Sequence, residues 1–163
     1  MTQANLSPDF IDFIENNDFS ERTMVELGSG ESTSFFAKHF KKVHSYEDDL
    51  EYYNHYKSLM PNNVDYKMFG ESIFNNEKFK EQIYNSDLIL IDNQAKRITR
   101  ERFAYYVHEN KKPGSIIVLD NGDWNYNAYE FLRSNYYCSD FLRIDKRNKI
   151  TQTTIFFHPR VKK

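Results

Sequence analysis

Short apolar runs alternate with segments of helical periodicity along this chain. Ser7-Pro8 forms an N-cap and first-turn pair, and Phe10, Phe13 and Ile14 behind it share one helical face, predicting a helix over about 8–18. Thr23–Leu27 is a compact apolar run ending at Gly28, as a buried strand does. Residues 31–40 read as a helix and 42–47 as a second strand. A helix over 49–60 is stopped by Pro61, which cannot continue the hydrogen-bond ladder. Weak alternation over 64–69 predicts a third strand, and Phe79 and Ile83, four apart, predict a short helix over 77–84.

The run 87–92 is the clearest strand, its continuous apolar centre suiting a parallel sheet covered on both faces. A charged amphipathic helix over 97–111 ends before Pro113-Gly114. Residues 115–119 form another apolar strand, closed by Asp120-Asn121-Gly122. A helix over 126–134 leads to 140–144 and 153–157, a final antiparallel pair. This alternation of strand and helix predicts an α/β fold: a mostly parallel sheet with helices on both faces. Its ligand crevice belongs at the carboxyl ends of the strands, where strand order reverses.

With 163 residues and neither a low-complexity linker nor an internal repeat, the chain reads as a single domain over 1–163, its core at about 23–158. The net charge of −2 supplies no basic field, so a nucleic-acid partner is not expected. Neither is a membrane: no apolar run approaches the roughly 20 residues that span a bilayer. The N-terminus lacks the basic-then-apolar order of a secretory signal, and Cys138 has no second cysteine to pair with, so a reducing cytoplasm is the expected setting. The five histidines follow no zinc-ligand spacing, and no metal site is expected.

The segment Glu26-Leu27-Gly28-Ser29-Gly30-Glu31-Ser32-Thr33 joins the first strand to the first long helix, the setting that turns a glycine motif into a ligand site. Gly28 and Gly30 permit a tight turn and close approach of a ligand to the backbone. The helix start beyond them exposes unpaired N–H groups. A dinucleotide fingerprint needs a third small residue at position 33, where Thr33 stands. An acid at Glu26 is unhelpful beside a pyrophosphate but suits a cationic amino group. Together these favour a ligand with an amino-acid moiety over a dinucleotide. Glu47, at the end of the second strand, occupies the place of an acid that accepts hydrogen bonds from ribose hydroxyls, with Asp48 the next candidate.

These residues resemble the class I S-adenosylmethionine-dependent methyltransferases. ELGSG is similar to their first motif, with Ser32-Thr33 as in a subset whose turn reads GSGxST, and VHSYEDDLEYY is similar to that subset's second strand. DLILIDN and GSIIVLDN resemble the fourth and fifth strands, and SDFLRIDKRNKITQTTIFF the last two. The resemblance covers about residues 23–158. It implies a Rossmann-like, mostly parallel seven-stranded sheet whose last strand is antiparallel, with S-adenosylmethionine as cofactor. Glu26, Gly28 and Gly30 would hold the methionine part, with Ser29, Ser32 and Thr33 also binding the cofactor; Glu47 would bind the ribose, with Asp48 the next candidate, and Gly70 and Glu71 would lie by the adenine. Asp92 would flank the methionine and the transferable methyl. GSGES in place of GxGxG, and Gly-Glu in place of Gly-Asp at 70–71, depart from the common pattern.

Methyl transfer to a hydroxyl needs a base, and Asp92, Asp120 and Asp123 fall at or just past strand ends on the ligand side. Asp92 and Asp120 are the candidate catalytic residues; turn chemistry explains 120–123 equally well. Arg97, Arg100 and Arg102 read as a solvated helix face or as binders of an anionic acceptor. Trp124 and Tyr126 read either as a stacking surface for a sugar or aromatic acceptor, or as packing against the last helix. Asn93-Gln94 is not the proline-aromatic motif of base-directed amino-methyltransferases.

The expected activity is therefore O-methylation of a small molecule or glycan. A methyltransferase-fold binding protein without turnover and an NAD-type oxidoreductase are the alternatives. With no separate substrate module, acceptor recognition falls to short loops, the N-terminal helix, a protein partner or a second copy.

Overall fold

The computed structural model describes residues 6–94, 97–145 and 148–160. Seven strands form one sheet in the order β3-β2-β1-β4-β5-β7-β6. They are β1 (Thr23–Leu27), β2 (Lys42–Glu47), β3 (Val64–Met68), β4 (Leu88–Ile91), β5 (Ile116–Asp120), β6 (Tyr136–Ile144) and β7 (Ile150–Pro159). The first five are mutually parallel, and β7 runs antiparallel to both β5 and β6. The expected α/β sheet is present, its antiparallel strand inserted between β5 and β6. Strand order reverses between β1 and β4, which puts the crevice over their carboxyl ends.

Strand parity divides the core into two layers. Val25, Leu27, Ile89, Ile91, Ile117 and Leu119 face α4 (Glu77–Asn85), α5 (Arg100–Asn110) and α6 (Tyr126–Asn135), where Phe79, Phe103 and Leu132 are fully buried. Met24, Val43, Leu88, Leu90 and Val118 face the other way, toward α1 (Pro8–Glu15) and α2 (Glu31–His39) through Phe10, Ile14 and Phe36. A short helix, α3 (Leu50–Tyr56), covers the β2–β3 edge through Tyr53, stacked on Tyr66 at 4.8 Å. No helix among the described residues is long and apolar enough to cross a membrane.

Several boundaries differ from the sequence expectation. α1 ends at Glu15, because the amides of Asn16 and Asn17 bond back to the Asp12 and Phe13 carbonyls. Ser7 stands at its N-cap, yet its hydroxyl makes no capping bond and is buried without a partner. α3 tightens into a 3-10 turn over Lys57–Leu59 before Pro61. α5 starts at Arg100, three residues late, because Thr99 caps the Arg102 N–H and the Asn93 amide holds the Ile98 carbonyl in the preceding loop. β6 starts at Tyr136, directly off the end of α6 and four residues earlier than expected, and β7 is correspondingly longer.

Candidate functional site

The β1–α2 turn is shaped by close approach of the chain exiting β4. Gly28 has φ +93°, and a Cβ there would sit 2.7 Å from the Asn93 Cα and amide nitrogen, so glycine is required. Gly30 is extended instead, and a Cβ on it would meet only the Tyr52 ring, at 3.8 Å. Gly30 therefore leaves open space where Gly28 leaves none.

Glu26, fully buried, is the anchor of this turn. Its carboxyl accepts hydrogen bonds from the hydroxyls of Ser32 (3.0 Å), Thr33 (2.7 Å) and Ser45 (2.7 Å), tying β1 to α2 and β2. The Thr33 hydroxyl in turn accepts from the Gly30 N–H at 3.1 Å. Burial pushes the Glu26 carboxyl up to about 7; the three hydroxyls oppose the rise and Glu47 adds to it. Direct contact between Glu26 and a ligand amino group, the sequence expectation, is not offered by a carboxyl sealed in this way. Thr33 bridges the turn to this acid.

Glu47 closes β2 with both oxygens engaged. One accepts the Asp48 and Asp49 backbone N–H groups at 2.9 Å each; the other accepts the Ser29 N–H at 3.0 Å and the Ser29 hydroxyl at 2.6 Å. The Tyr66 hydroxyl lies 2.7 Å from that of Ser29. Asp48 is only 2% exposed, and neither of its oxygens has a hydrogen-bond partner of good geometry. Burial and the neighbouring Glu47 push its carboxyl up, and the Arg97 backbone N–H draws it partly back. Gly70 ends the β3 exit with Arg97 Nη1 at 4.0 Å from where its Cβ would be, while Glu71 is exposed. Tyr46, Phe69, Gly70 and Ile73 line a cavity of about 200 Å³ there, to which Lys67 and Lys78 contribute.

Asp92 and Asp120 close β4 and β5 on the same edge, joined through Arg100. This arginine is buried: it donates to the carbonyls of Asp92 (3.0 Å), Asn93 (2.8 Å) and Asp120, and to Asp92 Oδ1 at 3.0 Å. Neither expected role for Arg100, a solvated face or an anion site, matches that position. A local pattern carries no sign of the inward turn, because the partner carbonyls come from two other strands. Asp120 accepts the Thr153 hydroxyl at 2.5 Å and the Asn121 amide at 2.8 Å. Burial raises both carboxyls; the Asp120 charge raises Asp92 further, the Thr153 hydroxyl draws Asp120 back, and Arg100 draws back both. The Asp92 side chain keeps 26% exposure, so it is the member a ligand can reach.

Asp123, Trp124 and Tyr126 are exposed in the β5–α6 turn, so Trp124 and Tyr126 do not pack inside as one reading had it. Arg97 and Arg102 are exposed, Arg102 lying over the Phe74 ring at 5.0 Å. Ser45, Tyr66 and Thr153 escaped sequence reasoning; only strand register, such as Glu26 opposite Ser45, brings them to the acids they serve. Among the described residues no group of three or more His, Cys, Asp or Glu side chains is arranged to hold a metal ion.

No protein-family model matches the chain, and no curated protein matches it in sequence. Solved structures do match in shape. A candidate O-methyltransferase from Klebsiella pneumoniae superposes with a TM-score of 0.71 at 12% identity, over 97% of this chain and 84% of that one. The O-methyltransferase TomG from Streptomyces achromogenes, in complex with S-adenosylmethionine, gives 0.66 at 10% identity over 97% and 83%. The N-methyltransferase NodS from Bradyrhizobium japonicum, in complex with S-adenosylhomocysteine, gives 0.67 at 10% over 96% and 90%.

The chain has the class I methyltransferase fold. Within this methyltransferase fold, Gly28–Gly30, Glu47–Asp48, Asp92 and Asp120 all open on one edge of the sheet, around the reversal between β1 and β4.

Proposed function

We propose that the chain is an S-adenosylmethionine-dependent methyltransferase acting on a hydroxyl of a small molecule or glycan. The observation that carries this reading is the orphaned Asp48 carboxylate beside Glu47, next to the open backbone at Gly30. A buried acid whose only compensation is from nearby backbone N–H groups, that of Arg97 among them, is costly by itself, and a ligand rich in hydroxyl or amino groups supplies what it lacks. The residues therefore fit the cofactor. Asp48 would hold the ribose, with Glu47, its oxygens taken by four donors, fixing Ser29 and the Asp48 backbone around it; Gly28–Gly30 and Ser29 would hold the methionine part, and Gly70 with the adjoining cavity the adenine, while Glu71 is exposed and contributes at most from the rim. Glu26, Ser32 and Thr33 would act indirectly, by holding the turn.

When bound, the cofactor supplies an electrophilic methyl group. The chain's own part is positioning and proton transfer. Asp92 would take the acceptor's hydroxyl proton, with Asp120 behind it raising its carboxyl and Arg100 fixing their spacing. Because both carboxyls are raised, the base is ionised only at higher pH than an ordinary carboxylate. Turnover should then climb across a range above that of an ordinary Asp. A cytoplasmic setting suits the lone Cys138.

The test is a pH–rate profile with labelled cofactor and a panel of hydroxyl acceptors. Asp92→Asn should lose both turnover and cofactor affinity, whereas Asp120→Asn should lose turnover and keep cofactor affinity. Full activity in both variants would remove the acids from the reaction. Cofactor binding with no turnover on any acceptor would leave a binding protein.

A further inference from the structure

A second pocket, of about 280 Å³, lies at the starts of α5 and α6. It is bounded by the start of α5 (Thr99, Glu101) and the start of α6 (Asn125 to Ala128), with Trp124 between them. Thr99 is the residue before Arg100, and Trp124 stands four residues beyond Asp120. Tight turns hold it there: the Trp124 N–H donates to the Asn121 carbonyl at 3.0 Å and the Asn125 N–H to the Gly122 carbonyl at 3.2 Å. The pocket thus draws on the two chain segments that adjoin Arg100 and Asp120 in sequence.

Its chemistry is specific. Trp124 is 58% exposed and Tyr126 65%, large rings left in water beside a concavity. Lys149 steadies the indole, its ammonium 6.0 Å from the ring centroid, without covering it. Around the rings stand polar groups: the Thr99 hydroxyl, which accepts the Arg102 N–H, the Glu101 carboxylate, which accepts the Tyr105 hydroxyl, and the amides of Asn125 and Asn127. The Asn127 amide makes no hydrogen bond among the described residues, and Asn125 commits only its NH₂, to the Asn121 carbonyl. None of the residues lining the pocket is itself cationic; Lys149 stands over the Trp124 ring, and the sugar-phosphate arm of the titration decides whether it also draws an anion. Four of the seven lining side chains are polar, more than a flat aromatic acceptor with one or two hydroxyls could match. A pyranose ring meets both demands: its C–H faces cover an aromatic ring, and its equatorial hydroxyls pair with amides and carboxylate.

We infer that this pocket is the acceptor site and that it takes a neutral pyranose, as a simple glycoside or the end of a glycan. The inference rests on the methyl-transfer reading for its role. The site itself is tested separately, because Trp124 is the only tryptophan of the chain and reports directly on the pocket.

The protein, saturated with S-adenosylhomocysteine, is titrated with methyl glycosides of common neutral hexoses, hexosamines and deoxyhexoses while Trp124 emission is followed. Parallel arms use catechol and simple phenols, and a sugar phosphate. At least one neutral glycoside should give a saturable change. Tyr126→Ala and Asn127→Ala should each weaken it by about tenfold and leave S-adenosylhomocysteine affinity unchanged. Saturation-transfer NMR on Trp124→Ala should show the sugar signal lost, a readout that does not need the fluorophore. Saturation by the phenols or by the sugar phosphate, or no response to any neutral glycoside from a protein that binds S-adenosylhomocysteine, overturns the inference. Failure to bind S-adenosylhomocysteine instead overturns the methyl-transfer reading, and the sugar titration, repeated without it, still decides the site.

Discussion

Single side chains in this protein do work that their position in the sequence only half announces. Glu26 was legible as an acid before a glycine turn. Its saturation by three hydroxyls was not, because Ser45 reaches it only through the β1–β2 register. The consequence is a titration. The folded protein holds the Glu26 proton up to about pH 7, whereas an ordinary Glu releases it near 4.5. Between those values the native state binds the extra proton, so this residue's contribution to stability is complete below the lower value and is lost as pH rises through the upper one. Glu26→Gln removes that titration while keeping acceptor and size. Urea midpoints of the wild type should fall between about pH 5 and about pH 8 more steeply than those of the variant. Equal slopes would mean that Glu26 is ionised throughout. Gly28 and Gly30 show the same limit of reading from sequence: both were legible as turn residues, yet only Gly28 has a conformation and a neighbour that demand glycine.

At the scale of elements, legibility followed burial. β1, β4 and β5 are covered on both faces, so their apolar runs were continuous and their limits clear. β6 is an edge strand entered straight from α6 with no Gly or Pro between them, and nothing local marks the change at Tyr136. The start of α5 was misplaced because charged residues continue the helical pattern through Arg97, while the loop is held by the Asn93 side chain from outside the segment. That loop delivers Arg100 to its partners. Removing it leaves Asp92 and the ends of β4 and β5 without their shared donor in a buried place. Arg100→Met should therefore cost about 3–5 kcal/mol in chemical denaturation. Asp92→Asn, which leaves the carbonyl bonds to Arg100 in place, should cost clearly less. An Arg100→Met protein as stable as the wild type would show that the assembly holds nothing together.

Across the whole molecule, the carboxyls that burial raises, Glu26, Asp48, Asp92 and Asp120, gather at the carboxyl edge of one sheet in a chain of net charge −2. Such a gathering is unfavourable in an isolated fold and characteristic of a site made for a ligand. The fold and the glycine turn were legible from end to end, since they depend on chain-order patterns. The pocket proposed for the acceptor was not, because it is assembled from the starts of α5 and α6, which meet only in the folded sheet. The most direct measurement is a calorimetric titration of the folded protein with S-adenosylhomocysteine, run beside NAD and repeated with Glu47→Ala. Saturable binding of S-adenosylhomocysteine alone, weakened by about 1–3 kcal/mol in the variant, is the expected result. Binding of NAD instead, or no heat from either ligand with a protein that still melts cooperatively, would contradict it.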